Sequence, residues 1–444
     1  MIFGVWNVRT LTDRESASRP ERRTALLARE LARYRIDIAA LSETRLADEG
    51  SIEERKGGYT FFWKGKPENE DRIHGVGLAI RSSLLRQLPD LPTCVNERLI
   101  KLRFPLHPSR HVTVISAYAP TLTSSDEVKD SFYKELDRMV KATPTSDKLL
   151  LLGDFNARVG NDCRNWKGVL GHHGTGKMNT NGLRLLSFCA ENDLTITNTL
   201  FRQADKYKTT WMHPRSKQWH LIDYVISRRR DIQDFKITRA MRGAECWTDH
   251  RLVRSILALH IAPIRRKTPK VVRPSFDVGK LEHPRHRHLF AANLDKTLAS
   301  HGPLTGNTSQ KWDQFKTVVK DSAQSALGMR KRVHQDWFDE NDESIRQLLD
   351  EKQKSFLEWQ NDLSSVSKRD RFKCLQKQTQ SALRRMQDVW WQKKAEEVQS
   401  YADTKNSKRF FRAIKEVYGL SKPNTTPLLS ADGSTIAKAK AQHQ

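Results

Sequence analysis

The chain has 444 residues and a formal net charge of +26, from 78 Lys and Arg against 52 Asp and Glu. That excess argues for a polyanionic partner, nucleic acid first, and no apolar run reaches the length of a membrane span. The five scattered cysteines (Cys94, Cys163, Cys189, Cys246, Cys374) form no CxxC pair, so they indicate neither a zinc site nor a disulfide framework and fit a reducing, intracellular compartment.

The first residues, MIFGVWNV, hold no basic run ahead of a long apolar stretch, which argues against a signal peptide. Ile2 to Val8 alternates and reads as a strand with Asn7 near its end. An amphipathic basic helix is expected over about Arg19 to Tyr34. Strands follow at Ile36 to Leu41, ending in Ser42-Glu43-Thr44, then at Tyr59 to Lys64, Gly75 to Ile80, Leu99 to Phe104 and His111 to Tyr118. A helix is expected from Asp126 to Lys141, capped by Ser124 or Ser125. The leucine run Leu149 to Leu152 fits a short strand buried on both faces. Gly153 is expected to turn the chain, with Asp154 and Asn156 pointing to one side as the strand ends. Beyond a Gly- and His-rich loop (160–181), Leu183 to Asn192 reads as helix. Strands are expected at Leu194 to Asn198, Thr209 to Met212, His220 to Ser227 with Asp223 inside it, Phe235 to Ala240 and Leu252 to Leu259. Several of the connections are too short for crossover helices. The pattern is α/β with mixed or antiparallel sheets, not a doubly wound parallel sheet.

Composition changes after about Ile261. The organisation expected is a folded domain over 1–260, a basic Pro-containing linker over 261–310, a helical basic region over 311–420 and a disordered tail over 421–444.

Polar clusters close the strands: Asn7, Glu43, Tyr118, Asp154 with Asn156, and Asp249-His250, with Asp223 in a sixth strand. A hard divalent cation takes oxygen ligands and one or two carboxylates, a task suited to Glu43 and Asp249 with Asn7 beside them. Phosphodiester hydrolysis needs a placed water and a clamp on the phosphate. Asp154 and Asn156 suit the water. His250 suits the phosphate, its tautomer fixed by Asp223, and Tyr118 can donate to the phosphate or leaving group.

In this order, WNVRTL, LSETR, SAYAP, LLGDFNARVG, HLIDYVIS and TDHRLV resemble the endonuclease/exonuclease/phosphatase superfamily over about residues 1–260. Within it they are most similar to the endonuclease domain of RTE/LINE-type non-LTR retrotransposon proteins and to host proteins of the craniofacial development protein 2-like group. The resemblance implies a four-layer α/β sandwich of two packed mixed sheets (DNase I-like). It implies a Mg²⁺-dependent phosphodiesterase that nicks DNA; Mn²⁺ is the alternative metal because it accepts the same oxygen-rich shell, and nuclear residence is expected from the substrate. It assigns Asn7, Glu43 and Asp249 to the metal side, and Tyr118, Asp154, Asn156, Asp223 and His250 to the phosphate and water side. Asn198 resembles a position near the substrate groove. Abasic-site repair enzymes tend to carry an acidic residue where this chain has Arg9, which favours the retrotransposon type and suits a nearby phosphate backbone. Residues 261–444 resemble the helical linker that precedes a reverse transcriptase. The expectation is a chain that nicks and binds DNA without polymerising, with RNA a further partner for the basic helices.

Other motifs carry less. GHHGTGKM (171–178) misses a P-loop because Met178 stands where Ser or Thr would hold Mg²⁺. Tyr401-Ala402-Asp403-Thr404 lacks the second aspartate of a polymerase YxDD signature. Trp211 has a claim to line the groove. Two competing functions are a phosphatase or phospholipase of the same fold and an inactive, retroelement-derived nucleic-acid-binding protein.

Overall fold

The computed structural model describes residues 1–12, 22–106, 110–259, 276, 280–281, 284–301, 306–327, 337–404 and 406–418. In chain order they form β1 (Ile2–Asn7), α1 (Arg23–Arg33), β2 (Ile38–Ser42), β3 (Glu49–Glu54), β4 (Tyr59–Lys64), β5 (Val76–Arg81), α2 (Ser82–Leu85), β6 (Thr93–Asn96), β7 (Leu99–Leu106), β8 (Arg110–Tyr118), α3 (Asp126–Ala142) and β9 (Lys148–Asp154). There follow α4 (Thr180–Glu191), β10 (Leu194–Ile196), β11 (Trp211–Met212), β12 (Trp219–His220), β13 (Asp223–Arg228), β14 (Phe235–Met241) and β15 (Leu252–Leu257). The remaining helices are α5 (Pro284–His301), α6 (Thr308–Ala326), α7 (Trp337–Glu340), α8 (Asp342–Asn361), α9 (Val366–Asp403) and α10 (Ser407–Tyr418).

Two mixed sheets carry the N-terminal part. One has the order β14-β15-β1-β2-β5-β4-β3, the other β10-β13-β9-β8-β7-β6. Between them lies an apolar layer that includes Val5, Ile38, Leu78, Val114, Leu150, Leu152 and Val253. The outer face of the first sheet packs on α1 through Leu27, Leu31, Ala39 and Phe61. The outer face of the second packs on α3 and α4 through Leu136, Leu151, Leu185 and Phe188. These four layers follow from alternation: Leu150 and Leu152 point to one side of β9, Leu149 and Leu151 to the other.

Some expectations need correction. Gly153 does not turn the chain but stays in β9, where an added Cβ would lie 1.8 Å from the Ala117 carbonyl oxygen. The glycine is there for close approach of β8 and β9, and Asn156, with φ of 46°, makes the turn. Asp223 opens β13 and is not inside it, because Trp219–His220 forms its own two-residue strand with β11. β3 (EGSIEE) escapes a sequence reading because an edge strand exposed on one face carries few apolar residues. Helix α5 lies within the stretch expected to be a linker and packs on α6, where Phe276, Leu281 and Phe290 meet Ala323 and Leu327. The 421–444 tail lies outside the described residues.

The chain divides into two compact units, Met1–Gln380 and Ser381–Gln444, with the division inside α9. The second comprises the end of α9 and α10, with Trp390 and Trp391 in edge contact. Among the described residues, no helix is long and apolar enough to cross a membrane.

Candidate active site

Both sheets end at one rim, and topology alone brings the polar clusters there. β1 and β2 run parallel with Asn7 opposite Ser42, so Glu43 follows beside Asn7. β8 and β9 run parallel with Tyr118 opposite Asp154. β13 runs antiparallel to β9 and begins with Asp223 opposite Asp154. β15 runs antiparallel to β1, so Asp249 and His250, just before it, reach the same rim.

Asn7 is buried and its Nδ2 donates to Glu43 Oε1 at 2.8 Å and to Asp154 Oδ2 at 2.9 Å. Its oxygen accepts from the Arg9 amide at 2.9 Å. The carboxamide thus spaces two carboxylates, on the side that the resemblance assigns to the metal. Asp154 Oδ1 accepts from the Asn156 amide at 2.8 Å, and Asn156 Nδ2 donates to the Ala119 carbonyl at 3.0 Å. Asn156 therefore shares the rim through a side-chain-to-backbone turn, not through strand alternation.

Asp223 is fully buried, and its Oδ2 lies 2.9 Å from His250 Nδ1. Burial works against a charged His250, but the charge and hydrogen bond of Asp223 prevail and raise it to about 9. It is therefore an imidazolium at neutral pH, with Nδ1–H donating to Asp223 and Nε2–H left for another acceptor. Burial, with the Asp223 charge close by, pushes the Asp154 carboxyl up towards neutrality. Burial, with Glu43 and Asp154 near, also raises Tyr118, which stays a protonated phenol.

The open cleft on this rim is lined by Arg9, Glu43, Asn156, Arg158, Asn179, Trp211, His213, His220, Asp249 and His250. Arg9, Glu43, Asn156 and Trp247 all have φ between 46° and 61°. For non-glycine residues that conformation costs about 1–2 kcal/mol each, and it persists only where the surroundings over-determine it, as at functional sites.

The sequence-derived set largely converges. Trp211 lines the cleft and its Nε1 donates to Asp249 Oδ2 at 3.1 Å. Arg9 lines it as well. Asn198 does not: it is buried, with Nδ2 on the Asp223 carbonyl at 3.1 Å and Oδ1 accepting from the Val225 amide at 2.9 Å. It anchors the start of β13, so its bearing on substrate is indirect. Sequence reasoning misses several supporting residues. Thr210 Oγ1 accepts from the amides of Ile222 and Asp223 at 3.1 and 3.3 Å. Arg98 donates to the Tyr118 carbonyl and lies over its ring at 5.4 Å. Asn181 donates to the Asn156 carbonyl at 3.0 Å. Isolated Thr, Arg and Asn residues carry no spacing signal; only the partners reveal them.

Asp154, Asp223 and His250 offer ligand atoms within 4.8 Å of one another, which is compatible with a metal. The Asp223–His250 hydrogen bond already uses two of these groups. Glu43 and Asp249 face the open cleft and supply hard oxygen donors, the chemistry a small divalent cation needs. The residues present fit such an ion.

The chain is 31% identical over 272 residues to craniofacial development protein 2 of Bos taurus, covering 61% of this chain and 43% of that protein. Craniofacial development protein 2 of Tragulus javanicus matches at 31%, over 61% of this chain and 44% of that protein. The chain thus spans less than half the length of these curated relatives. Among solved structures it is similar to the catalytic domain of Xenopus laevis APE2, with 16% identity, a TM-score of 0.44 and coverage of 60% of this chain and 94% of the other. It is also similar to the endonuclease domain of TRAS1, a telomere-specific non-LTR retrotransposon, with 15% identity, a TM-score of 0.40 and coverage of 58% and 98%. The model of the Endonuclease/Exonuclease/phosphatase family matches residues 4–250, and the chain belongs to that family.

Proposed function

We propose that this chain is a divalent-metal-dependent DNA endonuclease of the non-LTR retrotransposon type that hydrolyses one phosphodiester strand, with the nucleus as its place of action. The observation that carries the reading is the linked network Glu43–Asn7–Asp154, with the buried Asp223–His250 pair beside it, on one open rim. The charge of +26 and the cleft arginines Arg9 and Arg158 favour a long polyanion over a small phosphate ester. The motif order WNVRTL to TDHRLV supports the retroelement assignment.

His250 Nε2–H donates to a non-bridging phosphate oxygen, its charge maintained by Asp223. Asp154, raised towards neutrality, accepts the proton of the attacking water, and Asn156 holds that carboxylate in place. Tyr118, a phenol at all ordinary pH, keeps a donor beside Glu43. A bound Mg²⁺ or Mn²⁺, held by Glu43 and Asp249, would supply charge stabilisation at the phosphoryl group.

The test is nicking of supercoiled plasmid in Mg²⁺ by the full chain, beside an Asp154→Ala/His250→Ala variant and a chelator control. Open circles from the parent alone, abolished by chelation, are expected. A folded parent that retards DNA on a gel without nicking it would overturn the catalytic reading and leave a basic DNA-binding protein.

A further inference from the structure

Helix α8 comes from the part of the chain beyond the matched family region, yet it is fastened to the segment that carries Asp249 and His250. Lys352, buried in the middle of α8, pairs with the Glu245 carboxylate through Nζ. The same ammonium lies 3.3 Å from the centroid of the Trp247 ring. The other Glu245 oxygen accepts from the Trp247 amide at 2.9 Å. Trp247 has φ of 61°, a left-handed conformation a bulky side chain rarely takes, so its neighbours must hold it. Directly after it, Thr248 Oγ1 donates to the Asn7 carbonyl at 2.7 Å and accepts from the His250 amide at 3.2 Å.

After the Asp249-His250 pair, Arg251 Nη2 donates to Gln360 Oε1 at 3.4 Å, and before it Arg242 donates to the Gln360 carbonyl. Gln353 donates to the Gly243 carbonyl, and a Cβ added at that glycine would lie 2.9 Å from Leu357 Cδ2 of the same helix. Residues 242–251 are therefore gripped before and after Asp249-His250 by one helix.

We infer that α8 is part of the catalytic machinery by position: Lys352 and Gln360 are positioning residues that hold the Glu245–Arg251 segment, and hence Asp249 and His250, in working geometry. This rests on the hydrolytic reading of the rim, but the brace can be tested without it.

The experiment uses the full chain with Lys352→Met, Lys352→Arg, Gln360→Ala and, as a control on the exposed face of α8, Glu351→Gln. Amide hydrogen exchange over 244–251 is measured alongside plasmid-nicking kinetics in Mg²⁺. Faster exchange confined to 244–251 is expected in Lys352→Met and Gln360→Ala, with the β-sheet amides unchanged. Their kcat should fall about 10- to 100-fold with KM unchanged, the size typical of removing a supporting partner, with partial rescue in Lys352→Arg and none of this in Glu351→Gln. Unchanged exchange over 244–251 in both variants would overturn the brace, as would full kcat in variants of a parent that nicks. If the parent does not nick, the hydrolytic reading fails and the exchange result alone decides the brace.

Discussion

Asp154 and Asp223 face each other as register partners in the antiparallel β9–β13 pair, two buried carboxylates with the His250 imidazolium beside them. Among the described residues, Asp223 Oδ1 is buried without a hydrogen-bond partner. Burial, with the Asp223 charge opposite, raises the affinity of Asp154 for a proton. The site thus holds proton-accepting and proton-donating groups a few ångströms apart, the two carboxylates set by strand register and His250 by the segment before β15.

The pH dependence of activity follows from that arrangement. His250 must be charged to clamp the phosphate, and Asp223 holds it at about 9. Nicking should therefore decline as pH rises through about 9. In Asp223→Asn the charge that raises His250 is gone and burial works against the imidazolium, so the alkaline limb should move down by about one unit or more, each unit being about 1.4 kcal/mol. Stability carries the same sign. The folded value lies above the ordinary 6.5, so the His250 contribution is complete below 6.5 and is lost as pH rises through about 9. Denaturant melts at pH 6 and pH 9.5 check it; an alkaline limb unmoved in Asp223→Asn would separate His250 from the clamp.

Much of this rim can be read from the sequence, for a physical reason. Buried strands such as LLLL and IAAL are continuous apolar runs, and a carboxylate that follows one closely sits at the strand's end. Runs of this kind mark Glu43 and Asp154, whereas His250 precedes the strand Leu252–Leu257. They do not reveal which way the Asn7 amide faces, because a carboxamide offers both a donor and an acceptor. They misplace Asp223 within a strand because HLIDYVIS is apolar on both sides of the break at Leu221. The Lys352–Glu245 pair joins residues 107 positions apart, and no local pattern announces it.

The Asn7 amide tests the metal side directly, because its Nδ2 group separates Glu43 from Asp154. Asn7→Ala should leave the two carboxylates unspaced and weaken Mg²⁺ affinity by about 10- to 100-fold, as removal of a supporting partner does. Asn7→Asp should shift the Mg²⁺ curve less, because the added carboxylate attracts the cation even as the spacing amide is lost. Mg²⁺ titration of nicking, with calorimetric titration on the same variants, would show this as a rightward shift. Identical Mg²⁺ curves for Asn7→Ala and the parent would remove Asn7 from the metal side.

Gly153 offers a test of the scaffold. Alanine there would place a Cβ 1.8 Å from the Ala117 carbonyl oxygen in the neighbouring parallel strand. That oxygen is backbone and cannot swing aside, so Gly153→Ala should cost about 1–3 kcal/mol as an overpacked core site. It should also displace Tyr118 against Asp154, which end the same two strands. A thermal melt reports the first effect and the nicking rate the second. A variant with the parent's melting temperature would mean that β8 and β9 can separate without penalty.

β11 and β12 form a short hairpin with a basic tip. Its connecting residues include Arg215 and Lys217, while Trp211 at its base lines the cleft beside His213. Arg215 and Lys217 are both exposed, and Lys217 is held at φ of 58°. A basic tip on a two-stranded ribbon beside a hydrolytic cleft suits interaction with phosphates, which position DNA without reading its sequence. Arg215→Ala and Lys217→Ala should each weaken binding about equally across unrelated duplexes. Each should also reduce the slope of log K against log salt by about 1, the signature of one fewer phosphate neutralised. Fluorescence anisotropy of a labelled duplex in chelator, over a range of salt concentrations, measures both quantities without cleavage. A change in affinity that differs between sequences would assign the hairpin to base recognition instead, and an unchanged slope would place the DNA elsewhere on this basic chain.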